Sequence, residues 1–73
     1  MRAEPALYAE VADRLRPFLA RRVPASDVDD VLQDVFVRIQ RGLPALRDEE
    51  RFGAWMFQVA HSAAAEHGRA RAR

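Results

Sequence analysis

Four aspartates, Asp27, Asp29, Asp30 and Asp34, fall between residues 27 and 34 with no basic residue among them, and Gln33 adjoins the last. That density of acceptors can dock a basic partner. The far end of the chain reverses the sign: Arg69, Arg71 and Arg73 stand in the last five residues without an acid. Every basic side chain other than histidine is arginine, and a guanidinium meets phosphate with a planar fork that lysine lacks. Between the two regions, Gln58, Ser62 and Glu66 recur at four-residue steps. These side chains can exchange hydrogen bonds with base edges or a nucleic-acid backbone. Catalytic groupings are not evident. His61 and His67 are six residues apart with Glu66 between them, which turns the imidazoles to different helix faces, whereas a zinc pair converges at a four-residue step. Ser62 has no base and orienting group in pattern, and there is no Gly-rich phosphate loop. The chain is therefore expected to act by binding, not as an enzyme, and to hold no metal or cofactor.

Three helical segments must position these groups, so the expected fold is all-α, a compact bundle of three main helices. The first runs from about residue 5 to 22. Pro5 suits a first turn, and Leu7, Val11, Leu15, Phe18, Leu19 and Val23 keep one face apolar. Pro17 removes a backbone bond and crowds the preceding turn, which predicts a kink or restart near Arg16. The second spans about residues 27 to 41, with Val28, Val31, Leu32, Val35, Phe36 and Ile39 as its apolar stripe. Ser26 is the expected N-cap and Asp29 the acid of a short capping box, while Asp27, Asp29 and Asp30 favour the positive helix start. Part of the acidic cluster thus has a purely structural reading. Asp34 lies beyond the reach of that dipole. Gly42, after Arg38 and Arg41, is the expected stop.

Leu43, Pro44, Ala45, Leu46 and Arg47 connect to a third helix capped by Asp48. Phe52, Trp55, Met56, Val59, Ala60 and Ala63 line its core face, and Gly68 marks its expected end or a weak point. The opposite face carries Ala54, Gln58, Ser62, Ala65, Glu66 and Arg69 as an exposed ridge. Phe57 is the one bulky aromatic toward it, with a stacking platform and a partner-free edge position both open.

The run Asp27-x-x-Asp30-x-x-Gln33-Asp34-x-Phe36-x-Arg38, followed by Phe52-x-Ala54-Trp55-Met56-Phe57-x-Val59-Ala60, resembles region 2 of the bacterial sigma-70 class, specifically its extracytoplasmic-function (ECF) group. The resemblance extends from about residue 7 to 73. It implies that Asp30, Gln33, Asp34 and Arg38 are polar contacts to the β′ clamp coiled coil of RNA polymerase, with Phe36 and Ile39 as core or interface edge. It also implies that the ridge, as Phe57, Gln58, His61, Ser62, Glu66, Arg69, Arg71 and Arg73, meets the non-template strand of the promoter −10 element. A flipped base would enter a pocket built from Leu43, Pro44, Ala45, Leu46, Arg47 and Asp48. Gln58, His61 and Ser62 stand where relatives often carry Arg, Arg and Asn. A carboxylate such as Glu66 can accept from a cytosine amino group.

The bounds agree. Seventy-three residues allow one small core, so residues 1–73 read as a single domain. The −35-reading region 4 of such factors is absent from this stretch, as expected of either an excised fragment or a natural remnant, and the Arg/Ala ending favours truncation in a linker. No cysteine is present, excluding a disulfide framework or thiolate metal site. No apolar run approaches the roughly 20 residues of a membrane span, and the first residues lack a signal-peptide segment. A cytoplasmic location is expected, with no membrane insertion and no small-molecule substrate. Two rivals remain open: a helical protein-interaction module, such as an adaptor or a domain held by an anti-sigma factor without productive DNA binding, and a small duplex-DNA binder, which the acidic second helix disfavours.

Overall fold

Apolar residues at three- and four-residue steps build each helix and aim its stripe at one shared core. A computed structural model of the chain describes residues 4–72. Helix α1 spans Glu4–Ala20, α2 spans Val28–Gly42 and α3 spans Phe52–Ala72. Short 3-10 turns at Ala25–Asp27, Leu43–Ala45 and Glu49–Arg51 make the connections, and no strand occurs among the described residues. Val11, Leu15 and Leu19 of α1, Leu32, Val35 and Ile39 of α2, and Met56 and Ala60 of α3 are almost completely buried together. Helix α2 lies at the centre, packing on α1 and α3 more extensively than those two pack on each other. The small side chains of Ala60, Ala63 and Ala64, all buried, bring α3 close to its neighbours. Its 21 residues rise about 1.5 Å each and set the 36 Å long axis of the molecule.

Three local expectations need correction. Helix α1 does not restart at Pro17, which lies within the continuous helix and inside its last turn. There only one backbone bond is forfeited, close to where the helix ends anyway. Ser26 does not cap α2, since neither it nor Asp27 makes a side-chain cap bond. The 3-10 turn supplies the start instead: the Asp27 N–H donates to the Pro24 carbonyl at 2.8 Å and the Val28 N–H to Ala25. The Ser26 hydroxyl turns to Asp27 Oδ1 at 3.4 Å, and Asp29 binds Arg16 at 2.7 Å, so no capping box forms. Gly42 ends α2, as expected, although with right-handed φ and ψ of −90° and −15°. What it provides is room: a Cβ there would stand 2.7 Å from Cζ2 of Trp55. Finally, Gly68 does not end α3, which continues to Ala72.

Asp48 performs as expected. Its carboxylate accepts the Glu50 N–H at 2.9 Å, capping the turn that leads into α3. At the close of α1, Arg22 lays its guanidinium 3.8 Å from the centre of the Phe18 ring and donates to the Phe18 carbonyl at 3.2 Å. These contacts fix the α1 to α2 turn, where Val23 plugs the core.

Candidate docking face and nucleic-acid interface

Because α2 buries Val28, Val31, Leu32, Val35 and Ile39, helical periodicity turns Asp30, Gln33, Asp34, Val37 and Arg41 outward, and all five are exposed. Of the residues assigned to docking by resemblance, Asp30, Gln33 and Asp34 therefore share one accessible strip. Ile39 does not belong with them: it is 0% exposed, so its side chain cannot reach a partner without unfolding. Phe36 is half-buried, its ring edge-on to Tyr8 with centroids 4.9 Å apart, and stands at the margin of the strip. Sequence patterning did not single out Val37. At 41% exposure it is an apolar residue left out of the core, and its signal was there to find, as a valine in α2 off the buried stripe.

Arg38 stands between two carboxylates. Its Nε and Nη2 donate to Asp34 Oδ1 and Oδ2 at 3.1 and 3.2 Å, and its Nη2 and Nη1 donate to Glu66 Oε1 and Oε2 at 2.6 and 3.3 Å. These bonds to Glu66, then to Asp34, raise the Arg38 pKa above its ordinary value. The same bond holds the Glu66 carboxyl below its usual range. The grouping ties α2 to α3 on the surface.

On α3 the structure places Gln58, Ser62, Glu66 and Arg69 on one exposed face, as the periodicity requires. An open cleft of about 430 Å³ runs beside them, lined by Arg38, Trp55, Gln58, Val59, Ser62 and Glu66. His61 is not part of this group. It lies on the other flank of α3, lining a smaller cleft with Arg22, Ala64 and Ala65. Phe57 is half-buried and meets Phe18 edge-on at 5.3 Å, so α1 covers part of the ring that a stacking platform would need free. Leu43 and Leu46 are half-buried and line a cleft of about 420 Å³ shared with Leu7, Glu10, Arg14, Glu49 and Phe52. Any pocket at this connection is thus completed by α1 and α3, a participation the local sequence did not signal. Pro44, Ala45, Arg47 and Asp48 are exposed.

The arginine-rich end divides. Arg69 is on the ridge, whereas Arg71 reaches back to Asp27 Oδ2 at 3.0 Å, and His67 Nε2 lies 3.0 Å from the same oxygen. Arg73 lies outside the described residues. The Asp27 side chain is only 15% exposed, and the His67 hydrogen bond, with further help from Arg71, keeps its carboxyl below the usual range. Asp27 is therefore a link between the start of α2 and the end of α3. Among the described residues no cluster of three or more His, Cys, Asp or Glu could hold a metal ion, and no helix is long and apolar enough to cross a membrane.

Comparison with known proteins finds one matching family and several relatives. The family model described as Sigma-70 region 2 matches residues 7–73. The chain is 30% identical over 54 residues to the ECF RNA polymerase sigma-E factor of Escherichia coli K12, a match covering 74% of this chain and 28% of that protein. It is 37% identical over 54 residues to RNA polymerase sigma factor SigZ of Bacillus subtilis, covering 73% of this chain and 31% of that one. The sigma-E factor of Salmonella typhimurium LT2 is 30% identical over the same length, 74% and 28% of the two chains. The matched region thus spans less than a third of these relatives. No solved structure matches the chain significantly.

Proposed function

The chain belongs to the sigma-70 region 2 family, and from that premise we propose that it is the polymerase-docking and −10-binding part of an ECF-type sigma factor, acting in transcription initiation in the cytoplasm. The observation that carries this reading is the division of polar surface between two helices. Asp30, Gln33 and Asp34 on α2 form an acidic strip that leads to the exposed Val37. Such a strip suits a basic partner with an apolar contact at one end, here the β′ clamp coiled coil. Gln58, Ser62 and Arg69 on α3 form a separate ridge beside the 430 Å³ cleft, suited to the non-template strand of the −10 element. Single-strand recognition combines a basic track with pocket or stacking contacts. Extruding a base costs a few kcal/mol, and the cleft whose apolar wall is Leu7, Leu43, Leu46 and Phe52, with Glu10, Arg14 and Glu49 also lining it, offers a place to recover it.

One observation favours the rival without DNA. Arg71 is committed to Asp27, which leaves the ridge with little positive charge. The salt dependence of single-strand binding separates the two. With Arg69 and Arg73 alone meeting phosphate, the slope of log affinity against log salt should be about −1.4, from about −0.7 per contact. No single-strand binding at low salt would favour the interaction module, and affinity for duplex at least equal to that for single strand would favour the duplex binder.

A further inference from the structure

A carboxylate on a face that meets nucleic acid is a liability, because each phosphate repels it. Glu66 is such a group, with half of its side chain exposed, on the same ridge as Gln58, Ser62 and Arg69. It is held by both Nη atoms of Arg38. The Arg38 side chain is itself less exposed than either acid it binds, at 34% against 49% for Asp34 and 50% for Glu66. A cation already held by two carboxylates makes a poor free contact for a docking partner, and it lines the cleft beside the ridge. We infer that Arg38 is a positioning residue of the nucleic-acid ridge and not a polymerase contact: it draws Glu66 toward α2 and offsets its charge, so that a single strand can lie along Gln58, Ser62 and Arg69. This rests on the DNA-binding reading above and assigns Arg38 to its side of the molecule.

Geometry supports the assignment. Nη2 of Arg38 is shared between Asp34 and Glu66, and the shorter bond, 2.6 Å against 3.2 Å, goes to Glu66. The groups facing Glu66 are Arg38 from α2 and Arg69 from its own helix, both of which favour its ionised form. Glu66 therefore stays charged, and compensation by Arg38 must do what protonation does not. Because Arg38 also binds Asp34, its removal frees an acceptor on the docking strip and should not weaken attachment to a basic coiled coil.

The test measures the whole 73-residue chain against two probes, a fluorescein-labelled single-stranded oligonucleotide of mixed sequence and an isolated β′ clamp coiled coil. Circular dichroism and thermal unfolding report on the fold of each variant. Arg38→Met should bind the oligonucleotide roughly fivefold more weakly at low salt, the upper range for one exposed charge interaction. The deficit should shrink as salt is raised. Arg38→Met/Glu66→Gln should return to wild-type affinity, which a merely structural tie between α2 and α3 would not produce. Coiled-coil affinity should be no lower in either variant. Should Arg38→Met fail to fold, Glu66→Gln alone carries the test, with oligonucleotide affinity at or above wild type. Wild-type affinity in a folded Arg38→Met, no recovery in the double variant, weaker binding by Glu66→Gln, or loss of coiled-coil binding by Arg38→Met would each overturn the inference. A wild-type chain that binds the coiled coil but no oligonucleotide would instead defeat the DNA reading itself, and the role of Arg38 with it.

Discussion

Gly42 and Asp27 illustrate how a residue's role depends on what arrives from elsewhere in the chain. The sequence predicts Gly42 as a helix stop, and α2 does end there, but its backbone is right-handed and what calls for glycine is the Trp55 ring against it. Gly42→Ala should lower stability by about 1–3 kcal/mol, the usual range for overpacking, and change Trp55 fluorescence; a thermal melt equal to wild type would show that the ring moves aside freely. Asp27 is expected at the helix start and is there, but its carboxylate is taken up by His67 and Arg71. Its pKa is lowered in the folded state, so the unfolded chain binds the proton more readily. The stability it contributes is therefore present above the ordinary carboxylate pKa and lost as pH falls through the lowered value. Urea titrations from about pH 6 to about pH 2 should show an acid loss of stability that is smaller in Asp27→Asn, and identical pH profiles would contradict the link.

Element boundaries show where local pattern suffices. Glycine in a helix interior costs roughly 0.5–1 kcal/mol relative to alanine, and Gly68 lies inside α3 with no atom within 4 Å of the place a Cβ would occupy. Gly68→Ala should therefore raise stability by about that amount, measured by chemical denaturation, and a decrease would mean that the glycine serves a contact. The stripes of α1 and α2 and the Asp48 cap were legible because each is set by neighbours two to four residues away. The same holds for the exposed ridge of α3. The N-terminal turn of α2 and the end of α3 were not legible. Ser26 has the chemistry of a cap, but Pro24 and the 3-10 turn already serve the first donors. The end of α3 is tied to Asp27, 40 residues away through His67. The pairing of Arg38 with Glu66 spans 28 residues and was equally beyond a local pattern, as was the burial of half of Phe57 against Phe18.

At the scale of the whole molecule, the three-helix arrangement sets two polar surfaces side by side. Helix α2 is central to the core yet leaves Asp30, Gln33, Asp34 and Val37 on the outside, and Arg38 joins Asp34 of that strip to Glu66 on the ridge of α3. The Arg38 and Glu66 pair and the Asp27, His67 and Arg71 group bridge the two helices on their flanks, so that neither face needs a partner to complete it. The central claim is that the α2 strip is a docking surface for the β′ clamp coiled coil. Its most direct test is the binding of this chain to that isolated coiled coil, alongside a Gln33→Ala/Asp34→Ala variant of unchanged helicity. Binding by the wild-type chain and its loss in the variant are expected; equal binding by both, or none by either, would defeat the docking assignment.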